Sequence, residues 1–253
     1  MLLSSCEIFD IHPYDGKIEG EKHLNRKNIE KIEQSTKGKD KIRFAVISDT
    51  QRWFDEFKDE VKSINSQTDI DFVIHCGDIT DFGLTKEFDW QQSYLKKLKV
   101  PFVVVLGNHD CIGNGREIYK TMFGSEDFSF IAGNTRFLCL DTNTLEYDFT
   151  KPIPNFAFIA GFWDDHNSKN TVIVVHAEPF SDEFKNGSED IFQQYLHKLN
   201  NPLFCLSGHG HKTKANDIFD DGLIYYQITC AKYRQYYIFT IDNDHYNYET
   251  IDF

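Results

Sequence analysis

The fold is decided by the stretch Phe72-Val73-Ile74-His75-Cys76-Gly77-Asp78-Ile79-Thr80-Asp81, in which an apolar run passes directly into a Gly-Asp turn. Two further β-branched runs, residues 42–48 and 102–106, lie on either side of it. Helical patterns near residues 55–66 and 85–98 separate the three runs. This order predicts a βαβαβ unit, that is, a sheet with helices packed outside it.

The remainder of the chain continues the α/β pattern. A Gly133-Asn134 pair predicts a hairpin. The other predicted elements are strands at 128–132, 136–140, 171–176 and 203–207, a helix at 188–199, and antiparallel tail strands at 223–229, 236–241 and 245–251. No Pro/Gly-rich linker divides the chain, so we expect one α/β domain over residues 41–253 with two sheets.

Composition excludes several classes of protein. The chain has 253 residues, with 27 Lys and Arg against 40 Asp and Glu, which gives a net charge of −13. Such a charge repels nucleic-acid backbones, so sequence-specific nucleic-acid binding is not expected. The apolar runs stop far short of the roughly 18 residues of a membrane span. The 23 Phe residues favour a packed core over disorder.

The N-terminal region, residues 1–40 before the domain, includes most of a segment that differs from the rest in charge. Nine Lys and Arg against five Asp and Glu lie between Lys17 and Arg43. One short helix is predicted over residues 25–34, with Asn25 as its cap. We expect a solvated tether with one docked turn, and a basic spacer against an anionic membrane is the alternative.

The cysteines indicate two different situations. Leu3-Ser4-Ser5-Cys6 resembles a bacterial lipoprotein cleavage box, which predicts a lipid on Cys6 and anchoring in the cell envelope. Only Met1 and Leu2 precede this box, and a chance match in a cytoplasmic protein is the alternative. The other cysteines lie in or beside apolar runs and are predicted to be buried free thiols; they are Cys76, Cys111, Cys139, Cys205 and Cys230.

Polar motifs follow five of the predicted strands. They are Ser48-Asp49-Thr50-Gln51, Gly77-Asp78-Ile79-Thr80-Asp81, Gly107-Asn108-His109-Asp110, His176-Ala177-Glu178 and Gly208-His209-Gly210-His211. Ligands of α/β sheets bind at the carboxyl ends of strands, so these motifs are expected to converge. Carboxylates with imidazoles suit Mn, Fe, Zn or Co, and six or seven ligands suit two ions that share a carboxylate.

Taken together, the five motifs resemble those of the calcineurin-like metallophosphoesterase superfamily, whose order is D-x-H, G-D-x-x-D, G-N-H-[DE], a lone His, then G-H-x-H. The resemblance extends from Ile42 to Phe253. It implies a four-layer αββα sandwich with two mixed β-sheets. It also implies a metal-dependent phosphoric ester hydrolase with two divalent ions, of which Mn, Fe or Zn are expected, acting on a small-molecule phosphate ester.

The resemblance assigns a role to each motif position. Asp49 and His211 would hold the first ion, Asp78 would bridge both, and Asn108, His176 and His209 would complete the second site. A hydroxide bridging the ions would attack phosphorus in line with the leaving group. His109 would protonate the leaving oxygen or stabilise its charge, and Asp110 would hold the working tautomer of His109. Asp81 would contact the metal ligands and orient them without binding an ion itself.

One position departs from the family pattern. Gln51 stands where the first motif normally has His, and a neutral amide oxygen is a weaker ligand than imidazole. Arg116, in the loop at 113–116, is a candidate for contacting substrate phosphate, with a solvated loop arginine as the alternative. The alternatives to a phosphatase or phosphodiesterase are a weakened metal-binding scaffold or binding protein, and a nuclease. The motifs leave monoesters and diesters open.

Overall fold

The computed structural model describes residues 16–18, 20–146 and 150–253, so Cys6 and its cleavage box lie outside the described residues. The helices are α1 (Leu24–Thr36), α2 (Phe54–Ser66), α3 (Thr85–Leu95), α4 (Gly115–Met122), α5 (Phe156–Ala160) and α6 (Glu189–Leu196). The strands are β1 (Lys41–Ile47), β2 (Phe72–His75), β3 (Phe102–Val104), β4 (Phe128–Ala132), β5 (Thr135–Cys139), β6 (Asn170–Val174), β7 (Pro202–Ser207), β8 (Lys214–Asp217), β9 (Ile224–Gln227), β10 (Gln235–Asp242) and β11 (His245–Asp252). None of the helices in these ranges has the length and apolar character needed to cross a membrane.

The strands form two mixed sheets. The first has the order β11-β10-β1-β2-β3 and the second has the order β4-β5-β6-β7-β9-β8. In the first sheet β1, β2 and β3 run parallel, and β10 is antiparallel to β1. In the second sheet β5, β6, β7 and β9 run parallel, with antiparallel β4 and β8 at the edges. The βαβαβ prediction for residues 42–106 matches the first sheet.

The two sheets pack face to face, with helices on both outer sides. Strand β1 shows how the sequence builds these layers, because its side chains alternate between two cores. Phe44 and Val46 lie in the core between the sheets, whereas Ala45 and Ile47 face the core under α2, α3 and α4. A third core lies between the second sheet and helices α5 and α6. The structure therefore confirms the expected αββα sandwich.

The tail differs from the sequence prediction in one respect. Residues 223–229 were expected to pair antiparallel with the two last strands, but β9 belongs to the second sheet and runs parallel to β7. Its antiparallel neighbour is β8, which the sequence did not indicate because Lys214-Ala215-Asn216-Asp217 is a polar edge strand. The five cysteines predicted to be buried thiols are free and buried.

Helix α1 is part of the packed domain, which corrects the expectation of a solvated tether. Leu24 and Ile32 are buried in two of the cores. Asn25 does not cap the helix but lies within it and reaches the edge strand β3. Its amide donates to the carbonyl of Val104 at 2.8 Å and accepts from the Val104 N–H at 2.9 Å. Asn25 thus makes the backbone hydrogen bonds that a neighbouring strand would make to β3. The packed domain therefore includes α1 and does not start at residue 41.

Asn25→Ala is expected to destabilise the protein by about 2 kcal/mol, because it leaves the buried N–H of Val104 without a partner. The free energy of unfolding in urea measures this loss. Glu30→Ala, at an exposed position of the same helix, is the control and should change stability by less than about 0.5 kcal/mol. Equal effects of the two substitutions would contradict the proposed role of Asn25.

Glu60 lies on the packed face of α2 and is 1 % exposed. Burial raises the pKa of its carboxyl well above the usual range, against a smaller opposing effect of Arg234. Above the unfolded pKa of about 4.3, the native state therefore binds more protons than the unfolded chain, so stability falls as pH rises. Glu60→Gln should raise the Tm by a few degrees near pH 8 and leave it unchanged near pH 4. Melting curves with the same difference at both pH values would contradict this.

Candidate metal centre

The loops after β1, β2, β3, β6 and β7 meet at one end of the sandwich. Backbone hydrogen bonds join them: the N–H of Asp49 donates to Gly77 at 3.0 Å, and that of Gly208 donates to His176 at 3.0 Å. A Cβ on Gly107 would lie 2.1 Å from the backbone nitrogen of Asp78, so glycine is required for the β2 and β3 loops to pass this closely. The motif glycines therefore bring the five loops together.

Three buried side chains form the centre of this site. Asp49, Asp78 and His176 each place one potential ligand atom within 4.8 Å of the others. His176 Nδ1 lies 2.7 Å from the carbonyl of Cys76, and a carbonyl only accepts, so Nδ1 carries the proton of this bond. Nε2 of His176 then faces Asp78 Oδ1 at 3.4 Å. This is the arrangement in which Nε2 can donate its lone pair to a cation.

The remaining predicted ligands surround this centre. Asn108 Oδ1 lies 3.0 Å from His176 Nε2 and 3.1 Å from His209 Nδ1. His211 Nε2 lies 3.1 Å from Asp49 Oδ1. The structure thus brings together all six carboxylate, amide and imidazole side chains that the motifs predicted at this end of the sheets.

Gln51 joins the same cluster. Its Nε2 donates to Asp78 Oδ2 at 3.2 Å, which turns Oε1 away from Asp78. Oε1 is buried and has no hydrogen-bond partner among the described residues. Leaving a buried acceptor unpaired costs about 1–3 kcal/mol, and a bound cation would satisfy it. The residue that departs from the family pattern therefore keeps an unpaired amide oxygen next to the cluster.

Four of these side chains lie on strained backbone. Asp49, Asp78, His209 and His211 have φ values of +52°, +58°, +65° and +50°. The left-handed region costs a non-glycine residue about 1 kcal/mol or more, and such strain concentrates at ligand sites. The chain therefore gives up stability where the motifs converge.

The site concentrates negative charge that attracts cations. Burial by itself would raise the pKa of Asp78, but the adjacent His176 outweighs it and lowers this pKa to about 2. Burial likewise disfavours the charged form of His176, yet Asp78 and then Asp49 raise its pKa to about 10. A proton on His176 thus supplies the positive charge that a divalent cation would supply in its place.

The structure corrects the role expected of Asp110. Its carboxylate accepts hydrogen bonds from the backbone N–H groups of Gly107, Asp78 and Thr80 at 3.0, 3.0 and 2.8 Å, and it does not bond to the His109 ring. His109 Nδ1 instead donates to the backbone carbonyl of Asp81 at 2.9 Å. Asp110 therefore joins the β2 and β3 loops, and Asp81 orients His109.

The expectation for Arg116 is also wrong. Its position is the first turn of α4 rather than a loop, and its side chain is 12 % exposed. The guanidinium donates to Glu126 at 2.6 Å, Asp141 at 2.8 Å and the carbonyl of Glu146 at 2.9 Å. These three bonds hold the Arg116 guanidinium within the protein, so it is not available to contact a substrate phosphate.

Sequence reasoning missed one side chain that contacts the site. Asp182, in the loop after β6, places Oδ1 2.6 Å from His209 Nε2. The available signal was its place six residues after His176, in a polar loop leaving a motif. A carboxylate on the distal nitrogen of a ligand histidine fixes its tautomer, which leaves Nδ1 of His209 to face the centre.

Seven oxygen and nitrogen donors, two of them carboxylates, fit borderline divalent cations such as Mn, Fe or Zn. Comparison with known proteins identifies a family and a fold. A sequence profile of the calcineurin-like phosphoesterase family matches residues 42–213. In solved structures, a dimetal phosphatase from Danio rerio has the same fold, with a TM-score of 0.65 and 14% identity over 83% of this chain and 97% of that chain.

Two curated relatives match at the level of sequence. The Bacillus subtilis protein YvnB is 25% identical over 214 residues, which cover 73% of this chain and 16% of YvnB. A probable cyclic nucleotide phosphodiesterase of Xenorhabdus bovienii is 33% identical over 75 residues, or 30% of each chain. The chain thus spans less than a third of either relative. Since the family profile covers more than half of the chain, the chain belongs to the calcineurin-like phosphoesterase family.

Proposed function

We propose that this chain hydrolyses phosphate esters with two divalent cations bound at the converging loops. The seven residues that would hold them are Asp49, Gln51, Asp78, Asn108, His176, His209 and His211. The observation that carries the proposal is the buried, unpartnered Oε1 of Gln51, because the amide that bonds to Asp78 through Nε2 keeps an oxygen donor available at the one position that departs from the family pattern. Bound cations would supply positive charge to an anionic phosphate and lower the pKa of an attacking water.

His109 is the proposed proton donor to the leaving oxygen. Its Nδ1–H is engaged by the carbonyl of Asp81, and its Nε2 makes no hydrogen bond among the described residues. Its backbone N–H donates to Asp78 Oδ1 at 3.0 Å, so the ring is tied to the centre of the site. A partly exposed imidazole with a fixed ring can take a proton from solvent on its free Nε2 and pass it to an oxygen as the P–O bond breaks.

The test is nitrophenol release from p-nitrophenyl phosphate and from methyl p-nitrophenyl phosphate, after removal of metal with a chelator and after addition of Mn²⁺, Zn²⁺ or Fe²⁺. We expect turnover to return with at least one of these cations. Absence of turnover with each cation and both esters would contradict the proposal and favour a metal-binding scaffold. The name of the Xenorhabdus relative supports including a diester among the substrates.

A further inference from the structure

A pocket of about 620 Å³ opens beside His209. One wall is the segment that follows His176, from Glu178 to Asp182, and the opposite wall is the edge strand β8. This volume lies within the range of about 300–1,000 Å³ that small-molecule sites occupy. Since His209 is one of the proposed ligands, the pocket adjoins the site.

Phe180 is the aromatic side chain in the lining of this pocket. It is 53 % exposed, and its φ of +66° is an outlier for an aromatic residue. Exposure of a large ring and a left-handed backbone both oppose folding, and such strain persists where the surrounding structure imposes it, often at ligand sites. Phe180 therefore lies where folding alone would not place an aromatic ring.

Hydrogen bonds hold the segment that carries this ring. The Phe180 N–H donates to the carbonyl of Phe184 at 2.9 Å, and the Ser181 N–H donates to that of Glu178 at 3.2 Å. The Phe180 ring also leans on Phe219, with centroids 5.4 Å apart at 46°. Phe180 is thus presented in a defined orientation, which lowers the entropy lost when a ligand packs against it.

The charged groups of the pocket differ in how they are engaged. Glu178 is bonded to Lys214, and Asp182 is bonded to His209. Lys212, directly after the last ligand, pairs with no carboxylate in the part of the chain that the structure describes. In a chain of charge −13, this lysine adds attraction for an anionic substrate at the pocket.

The position of the pocket indicates which part of a substrate it receives. Its lining includes His209 and Gly210 but neither His109 nor Asp81. The leaving group must lie by His109, which would protonate it, so the pocket faces another substituent of the same phosphorus. A monoester has no such carbon-bearing substituent, whereas a diester retains one alcohol through the reaction.

We propose that the substrates are phosphodiesters whose retained alcohol carries a planar ring, as a nucleoside does, and that this ring stacks on Phe180. The inference rests on the proposed function of the adjacent site. In the reaction, a water oxygen loses a proton to solvent and bonds to phosphorus, the P–O bond on the His109 side breaks, and the leaving oxygen takes the proton of His109 Nε2. The ring-bearing alcohol stays on phosphorus as a monoester in the pocket.

The experiment compares three esters with one leaving group: p-nitrophenyl phosphate, methyl p-nitrophenyl phosphate and the p-nitrophenyl ester of thymidine monophosphate. The wild-type protein should turn over the thymidine ester with the highest kcat/KM. Phe180→Ala should lower kcat/KM for the thymidine ester by about tenfold, as loss of one stacking contact predicts, and leave the methyl ester within about twofold. Phe180→Tyr should keep the wild-type preference, and Ile191→Ala, an exposed apolar residue on α6, is the matched control.

Each of the other outcomes overturns a defined part of the account. Preference for p-nitrophenyl phosphate over both diesters, or an equal loss on the methyl and thymidine esters in Phe180→Ala, overturns the assignment of the pocket but leaves the proposed function standing. Absence of turnover of all three esters in the wild-type protein, with Mn²⁺ present, overturns the proposed function and this inference with it.

Discussion

Asp78→Asn should lower kcat/KM for any ester that the protein hydrolyses by at least about a thousandfold, because it removes charge stabilisation worth several kcal/mol. Asp78 is the carboxylate whose two oxygens face different parts of the site, Oδ1 toward His176 and Oδ2 toward Gln51. The substitution keeps the size of the side chain but removes the charge that two cations would share. Initial rates of nitrophenol release at saturating Mn²⁺ measure the loss.

Asp55→Asn is the matched control, since Asp55 is exposed in the first turn of α2. It should leave kcat/KM within about twofold of the wild-type value. Far-UV circular dichroism and a melting curve show whether Asp78→Asn remains folded. A folded Asp78→Asn protein with more than a tenth of the wild-type activity would exclude Asp78 as a shared ligand.

His109→Ala should lower kcat by about a hundredfold or more for an ester with an alkyl leaving group, the usual range for loss of a general acid. The loss should be much smaller for a p-nitrophenyl ester, because nitrophenolate leaves without a proton. Release of the alcohol from an alkyl diester and of nitrophenol from its p-nitrophenyl counterpart provides the comparison.

Asp81→Asn separates the backbone contact of Asp81 from the contacts of its carboxylate. It preserves the backbone carbonyl that accepts from His109 Nδ1 at 2.9 Å. It removes the charge of the carboxylate, which bonds to Arg52 and lies 3.8 Å from His109 Nδ1. If the carbonyl orients the ring, Asp81→Asn should retain most of the leaving-group dependence of the wild-type enzyme.

The same loss for both leaving groups in His109→Ala would contradict proton donation by His109.

Most strands of the sheets and the convergence of the motif side chains could be predicted because their signals are local. An apolar, β-branched run such as the one at 72–75 indicates a strand, and a polar motif directly after it indicates a site at the carboxyl end of a sheet. Residues 49, 78, 108, 176, 209 and 211 all satisfy this relation, and the structure brings them together. The relation holds because parallel strands place their carboxyl ends at the same edge.

The packing of α1 could not be predicted in this way. The excess of Lys and Arg around Asn25 favoured a solvated segment, whereas the helix is held by Asn25 bonding to Val104, 79 residues away. Such a contact depends on which strand lies at the edge of the sheet. The charge of a segment does not report that position.

The roles predicted for Asp110 and Arg116 were wrong for a related reason. Adjacency in sequence suggested that Asp110 orients His109, but the short helical turn at His109–Cys111 directs the carboxylate to the backbone of the neighbouring loop. Arg116 is drawn to Glu126 and Asp141, two buried carboxylates from other elements. Roles that depend on side-chain direction within one turn require the coordinates.

The most direct test of the account is the number of divalent cations bound per chain, measured by elemental analysis after saturation with Mn²⁺ and removal of free metal. The account predicts two ions in the wild-type protein, because Gln51 still completes the first site. It predicts fewer than two in Asp78→Asn, because that protein lacks the shared carboxylate. One ion or none in the folded wild-type protein would contradict the two-metal centre and identify the chain as a scaffold with the family fold.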